Sequence, residues 1–505
     1  MTEHDVLIVG AGPTGLVLAL WLVAQGVRVR IIDRNVGPGS TSRAMVVHAR
    51  TLELYRQLDL AAPVVEAGHR NPAINLWARG KVRAHIDFAP TGEALTPFPF
   101  VLVYPQDHHE RFLAARLEAM GVVVERRTEL VDLEDANGGV TAHLRRPDGS
   151  EELCAAQYLA GCDGARSPVR HKLAIGFSGG TYNQTFYVAD VEASGSAANG
   201  QAHVSLESSD FVALLAYGNK GQGRLIGVVR DEREDAERLT FEDVSHRAIE
   251  GLGFSIDKVN WFSTYRVHHR VADRYRQGRV FLLGDAAHVH SPVGGQGMNT
   301  GIGDAINLAW KLAAVLKGRA PDRLLDSYED ERIAFAHQLV ETTDRLFTFV
   351  TTEGRLVDFA RLWIAPTIAT FAYRIGSVRE FLFRIVSQTQ LNYRGGPLSR
   401  GDAGRVHGGD RLPWVSEGGL DNHASLSAIA WQVHVYGTAS DDLRRWCLTR
   451  GLPCHVFPWV EAYATAGLEN DAVYLMRPDS YVALAAGEQT GEGLEAYFAE
   501  HGISL

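Results

Sequence analysis

The chain has 505 residues, 46% hydrophobic and 22% charged, with a formal net charge of −10. That length exceeds one simple core and predicts two or three domains of ordinary soluble-enzyme composition. The acidic balance, with no run of lysine and arginine, excludes a groove for phosphate backbones and so a nucleic-acid partner.

The first element is VLIVGAGPTGLVLAL, Val6 to Leu20: an apolar strand, a glycine turn and an apolar helix. Gly10, Gly12 and Gly15 complete G-x-G-x-x-G. Gly10 permits the tight turn, Gly12 lets a pyrophosphate reach the backbone, and Gly15 lets the helix pack close to the strand. The phosphate then sits on free N–H groups at the helix N-terminus. VRVRIID follows as a second strand ending in Asp33, whose carboxylate suits ribose hydroxyls and repels a 2′-phosphate, pointing to FAD or NAD rather than NADP. Pro13 and Thr14 inside the turn, and Arg34 beside Asp33, complete this dinucleotide-binding set.

A Gly/Pro/Ser-rich loop and a helix through Leu52, Leu54, Tyr55 and Leu58 come next, then strands over residues 72 to 103. VLVYPQDHHERFLAARLEAMGVVVER returns to strand, helix and strand, and turns at Asn137-Gly138 and Asp148-Gly149 predict a β-meander. From about 177 to 270 alternation predicts an inserted antiparallel sheet, with YGNKGQG at 217 to 223 as a hairpin turn. The α/β pattern resumes at GRVFLLGDAAHVHSPVGGQGMNTGIGDAINLAW, and helices are expected from 322 to 390. RGGPLSRGDAGRVHGGDRLP reads as a linker, and a small α/β domain of about a hundred residues closes the chain.

Cys154, Cys162, Cys447 and Cys454 are too few and too irregularly spaced for a disulfide framework or a zinc site, which predicts a reducing, cytoplasmic setting. The chain starts straight into a strand with no signal-peptide pattern. The longest apolar run, LWIAPTIATFAY from Leu362, is about twelve residues with a proline, against roughly 20 for a membrane span, so it is expected to be a buried or interface helix. His288 and His290, spaced i, i+2 without a third ligand, do not make a metal site; His108-His109 and His268-His269 read as helix-start and surface residues, and Arg166 and Arg170 as solvated charges.

Two more strand ends carry polar glycine turns: GCDGARSPVR, with Asp163 and Gly164, and FLLGDAAHVHSPVGGQGMN, with Gly284 and Asp285. Singly each aspartate reads as a turn residue. Together with the first turn, in this order and spacing, they resemble the class A FAD-dependent aromatic monooxygenases, the family of p-hydroxybenzoate hydroxylase and phenol hydroxylase, over residues 1 to about 345. The last hundred residues, with MRPDSYVA, resemble the thioredoxin-like domain of the phenol and aromatic polyketide hydroxylase branch.

The resemblance implies an α/β fold: a Rossmann-like FAD-binding domain (1–75, 101–176, 271–345), an antiparallel substrate-binding sheet (76–100, 177–270), a helical connector (346–395) and a thioredoxin-like domain (396–505). It implies FAD contacts from Arg43, Gln106, the backbone near Leu130, Asp163 (which also bears on NADPH use), Asp285, and the turn Gly295, Gly297, Met298 and Asn299. Those last residues would place N–H groups at a helix N-terminus beside the flavin, easing its reduction. Pro292 would line the substrate side, with Phe186, Phe211, Leu215 and Tyr217 of the sheet facing either the pocket or the core. The implied reaction is hydroxylation of a phenolic, polycyclic substrate by O2 through a flavin C4a-hydroperoxide, with NADPH binding transiently since no second glycine motif follows a strand. No catalytic side chain is named, and a homodimer is left open. Cys447 and Cys454, seven apart rather than C-x-x-C, predict no disulfide exchange, so the last domain is expected to pack or dimerise. The rival readings are an FAD oxidase or dehydrogenase without oxygen insertion and a flavoprotein that does not turn over.

Overall fold

The computed structural model describes residues 4–39, 44–78, 80–136, 138–206, 211–218, 221–229, 239–244, 249–290, 295–351 and 376–505. Arg43, Pro292 and the apolar run from Leu362 lie outside them.

The first sheet is built on the strand His4–Val9, whose Val6, Leu7 and Ile8 are fully buried. It pairs in parallel with Val29–Asp33 on one side and Glu151–Gly161 on the other, and Val280–Leu282 extends the sheet in parallel beyond that. The strands Glu129–Ala136, Gly139–Arg145 and Glu151–Gly161 form the expected meander, with Gly138 (φ +106°) and Gly149 (φ +84°) at its two turns. Helix Pro13–Ala24 is apolar all round because the helices Gln106–Ala119 and Gln296–Leu316 both pack on it. Helix Gln106–Ala119 buries only His109, Glu110, Leu113 and Leu117, one face at i, i+4 spacing.

His109 is therefore a core residue and not a surface one: its ring meets the Tyr55 hydroxyl at 3.0 Å.

The second sheet has eight strands, in the order His288–Val289, Phe254–Ala272, Phe177–Gly195, Gln222–Val229, Phe211–Ala216, Ala202–Leu206, Ala73–Ala78 and Lys81–Asp87. All its pairings are antiparallel except that of Ala202–Leu206 with Ala73–Ala78. The strands flanking YGNKGQG pair antiparallel, as a hairpin there requires.

The C-terminal sheet runs Cys454–Phe457, Gln432–Tyr436, Val473–Met476, Val482–Ala486; its first pair is parallel and the others antiparallel. Buried charges weld it to the first sheet's helices. Arg477 donates to both oxygens of Glu331 and to Asp479, and Lys311 donates to Glu331 at 2.9 Å. Burial would raise the Glu331 carboxyl, but Arg477 and Lys311 hold it down at about 2. Arg411 makes a two-pronged pair with Glu53 of helix Ala49–Tyr55.

Arg411 belongs to the stretch expected to be a linker. That expectation fails: Leu398, Ala403, Val406 and Leu412 are buried there, and Arg394 grips Asp410 at 2.5 and 2.7 Å. Its glycines serve close packing, since a Cβ on Gly409 would strike the backbone of Tyr393 and Arg394.

Candidate active site

Val9, Gly161 and Leu282 end three neighbouring parallel strands, so the three glycine turns read in the sequence meet along one sheet edge, where such sheets bind ligands. The glycines divide by role. A Cβ on Gly10 (φ +104°) would collide with the Cys162 carbonyl, and one on Gly15 with the Gly10 carbonyl. A Cβ on Gly12 would meet nothing within 4 Å. The chain's own packing demands the first and third, while the second opens on empty space above the first turn of helix Pro13–Ala24. That helix has Pro13 in its first turn and no side-chain cap, so its N-terminal N–H groups face the space.

Asp33 is tied to the turn: it accepts from Ala11 N–H at 2.7 Å and Asn35 N–H at 2.7 Å, with Arg126 at 3.7 Å. Arg34 is exposed beside it. Gln106 opens its helix and donates to Glu110 at 2.7 Å. Leu130 is buried in its strand opposite Leu144.

At the second turn Asp163 accepts from Val169 N–H at 2.9 Å, while its Oδ1 is buried with no protein partner; burial pushes this carboxyl up. Arg166 is exposed, but Arg170 is not the solvated charge expected. It is 3% exposed, lies 3.9 Å over the Phe177 ring, and donates at 2.8 Å to the carbonyls of Ala165 and Ala286, joining the second turn to the third. Asp285 projects to solvent between the buried Gly284 and Ala286. Thr14 fills the notch between Gly284 and Gly301, where a Cβ on either glycine would strike its hydroxyl.

Helix Gln296–Leu316 starts beside these turns on Gly295, at φ +64°, and Gly297 and Met298 lie in its first turn. Asn299 is 2% exposed and its amide is fully engaged. It accepts from His48 N–H (2.9 Å) and the Thr51 hydroxyl (2.8 Å) and donates to the carbonyls of Val46 (2.8 Å) and Gly295 (2.9 Å). Its side chain is thus a brace for the helix N-terminus, leaving backbone N–H groups as what that turn can offer a ligand. The buried His48 ring adds a second brace, reaching the carbonyls of Gly295 and Val386.

One turn further on, Asp304 accepts from Gly284 N–H (2.9 Å), His288 Nε2 (2.7 Å) and Arg332 Nε (2.6 Å). Burial opposes its charge, but Arg332 and His288 keep its carboxyl below the ordinary range. His288 is accordingly committed to a carboxylate.

The second sheet turns one face to this edge. Register places Phe186 opposite Val228, Asp190 and Leu215 opposite Arg224, and Val188 and Ala213 opposite Ile226, so these residues share a face. Leu215 and Tyr217 pack with Met45, Val46, Phe88 and Phe383, whereas Phe186 packs further along with Val228 and Val267. The side chain of Phe211 is not among those described. An Asp190–Arg224 pair at 2.7 and 2.8 Å lies on the same face, and burial first, then Asp190, pushes the Tyr217 hydroxyl up to about 12.

His48, Asp304 and Arg332 escaped the sequence reading. The available signal was Asp304, one of two charges with Lys311 in helix Gln296–Leu316, where a buried charge demands a partner.

The open space over Gly12, the bare helix start, the partnerless Asp163 oxygen and the solvent-facing Asp285 fit a dinucleotide laid along the edge. The chain matches the family model described as an FAD-binding domain over residues 3–343. It is 36% identical to a 6-methylpretetramide 4-monooxygenase of Streptomyces rimosus, over 84% of this chain and 76% of that one. It is 34% identical to a pentachlorophenol 4-monooxygenase of Sphingobium chlorophenolicum, over 81% and 76%. Its fold matches the solved aklavinone-11 hydroxylase in ternary complex with FAD and aklavinone, with a TM-score of 0.77 at 26% identity, over 100% of this chain and 99% of that one. The chain therefore belongs to the FAD-binding class A aromatic monooxygenases and is an FAD-dependent monooxygenase.

Proposed function

We propose that this enzyme hydroxylates a phenolic, polycyclic aromatic substrate, using O2 and electrons from transiently bound NADPH. FAD, when bound and reduced, would supply the electrons that activate O2, one atom of which enters the substrate while the other leaves as water. The rest falls to the protein. Gly12 and the N–H groups of helix Pro13–Ala24 receive the pyrophosphate, with Pro13 and Thr14 shaping the turn. Asp33, Arg34 and Leu130 serve the adenosine end, and Arg43, Gln106, Asp163 and Asp285 the ribose, ribityl and pyrophosphate groups. Gly295, Gly297, Met298 and Asn299 present a positive helix end where negative charge gathers on reduction.

The substrate ring lies beneath the second sheet, against Leu215 and Tyr217, in an apolar surround that excludes water, to which the sequence pattern also assigns Phe186 and Phe211 and the family resemblance Pro292. Full-length likeness to a hydroxylase solved with aklavinone favours a polycyclic phenol over a single ring. The C-terminal order of strand, helix, strand, helix, two strands and helix supports a thioredoxin-like domain. The strands at 73–87 and 177–272 support the division into FAD-binding and substrate-binding domains.

The observation that carries this reading is the convergence of three glycine turns on one sheet edge, with Leu215 and Tyr217 of the second sheet packed beside it in one cluster with Met45 and Val46. It is tested by mixing the yellow holoenzyme anaerobically with NADPH and a panel of mono- and polycyclic phenols, then admitting O2. A polycyclic phenol that accelerates flavin bleaching and emerges with one added oxygen supports it. Bleaching by an amine or alcohol but never by NADPH overturns it in favour of an oxidase.

A further inference from the structure

Cys447 and Cys454 are brought together by a tight turn. Helix Asp441–Thr449 ends two residues beyond Cys447, and Leu452 N–H returns to the Cys447 carbonyl at 3.0 Å across Gly451, at φ +64°. Cys454 then opens the strand Cys454–Phe457, held in register opposite Val433. The result is a helix end and a strand start lying side by side, with Cys447 inside one hydrophobic cluster and Cys454 packed against it, close enough for each thiol to act on the other. The spacing of seven, which predicted no disulfide exchange, is the span this turn needs.

The two thiols are not equivalent. Cys447 is 1% exposed, while Cys454 is only partly covered. The neighbouring Cys447 first, helped by Arg444 and opposed by burial, holds the Cys454 thiol below the usual thiol range, and the same pairing together with burial pushes Cys447 up. Cys154 and Cys162, by contrast, are buried thiols raised by desolvation.

We propose that Cys447 and Cys454 form a peroxide-reactive dithiol that closes to an intramolecular disulfide, with Cys454 attacking first. The oxidant is hydrogen peroxide, the two-electron reduction product of O2. The Cys454 thiolate attacks one oxygen, the O–O bond breaks, and hydroxide leaves and takes up a proton to become water, leaving a sulfenic acid. The Cys447 sulfur then attacks that sulfenic sulfur: the S–S bond forms, the S–O bond breaks, and the hydroxyl departs as a second water with the Cys447 proton. Two thiols are oxidised and one peroxide is reduced to two waters. The disulfide clamps the end of helix Asp441–Thr449 to the C-terminal sheet. This inference stands apart from the substrate proposal, because its readouts do not involve turnover.

The test treats the native holoenzyme with hydrogen peroxide, then alkylates under denaturing conditions and digests with trypsin. Cleavage after Arg445 and Arg450 puts Cys447 in the pentapeptide Trp446–Arg450 and Cys454 in the peptide beginning at Gly451, so the disulfide appears as a linked pair. The expected result is loss of two of the four free thiols, a linked pair that dithiothreitol dissolves, and native iodoacetamide labelling of Cys454 about 10-fold faster than of Cys154 or Cys162. In Cys447→Ser a dimedone-trappable sulfenic acid should accumulate at Cys454, and in Cys454→Ser Cys447 should stay reduced. Four alkylated thiols after peroxide, equal loss of Cys154 and Cys162, or disulfide-linked dimers would each overturn the proposal, and all three are read on the wild-type protein.

Discussion

Asn299→Ala isolates the brace at the start of helix Gln296–Leu316. The amide makes four hydrogen bonds inside the protein, and the substitution removes all of them. The Thr51 hydroxyl can rotate to a new acceptor, and the Gly295 carbonyl keeps the His48 ring at 3.0 Å. The His48 N–H and the Val46 carbonyl are left facing the vacated space. At roughly 1–3 kcal/mol for each buried polar group stranded, the loss is about 2–6 kcal/mol, and partial rescue by an entering water leaves about 3. Were all of it to fall on cofactor binding, FAD affinity would drop on the order of 100-fold, since about 1.4 kcal/mol is a factor of ten. We expect FAD titration by fluorescence quenching to show a loss of at least about 10-fold, and apo and holo melting curves to divide the remainder between fold and site. An Asn299→Ala protein that binds FAD within about threefold of wild type and melts within about 2 °C of it would refute the assignment of Asn299 as a brace.

Gly12→Ala and Gly15→Ala should separate binding from folding: the first leaves apo stability unchanged while abolishing measurable FAD retention, whereas the second lowers apo melting because its methyl meets the Gly10 carbonyl. Acid should destabilise the fold first through its buried histidines. Burial holds His109 and His423 at about 3, below their unfolded value of about 6.5, so the unfolded chain binds the extra protons; stability is complete above pH 6.5 and falls as pH drops from there toward 3. Each histidine costs about 2 kcal/mol by pH 5, and His109→Gln should flatten the pH dependence of melting between pH 7 and 5 by about that amount. Glu331→Gln leaves Lys311 and Arg477 without their shared carboxylate, a loss of about 3–5 kcal/mol, and trypsin cleavage at the exposed Arg394 and Arg400 should accelerate on the order of 100-fold.

What could be read from the residues was whatever local pattern determines. The strand His4–Val9, the turn at Gly10 to Gly15 and the alternating strands of the second sheet follow from periodicity and glycine placement, while alternation puts Leu215 and Tyr217 on one face and leaves pocket and core equally open for it. What failed depended on partners distant in sequence. Arg170 reads as a surface charge until the chain folds and sets the Ala286 carbonyl, 116 residues away, in front of it. Arg411 sits in a glycine-rich stretch that reads as a linker, and only the buried Glu53 carboxylate, 358 residues earlier, explains its presence there. His109 lies on the same helical face as Leu113 and Leu117, a periodicity that marks it as core more reliably than its residue type marks it as polar.

The charges that escaped the reading share a position: they sit behind the cofactor edge rather than on it. Asp304 fixes Gly284 and, through Arg332, reaches the Tyr393 hydroxyl at 2.9 Å; Glu53 is gripped by Arg411; Arg50 donates to Ser480 at 3.0 Å. In each case a residue after position 390 is bonded, directly or through Arg332, to a helix that begins beside the site: helix Ala49–Tyr55, which follows directly on His48, or helix Gln296–Leu316, which carries Asn299. A buried ion pair is a poor source of net stability compared with apolar packing of the same volume, but it tolerates only one geometry. Ion pairs at these joints therefore fix where the two helix starts point, which is what a helix end must control if it is to set the electrostatic field at a cofactor. On that argument the C-terminal module belongs to the active site at one remove, and conservative changes at Arg411 or Arg477 should alter flavin reduction potential even where no atom of either residue meets the flavin.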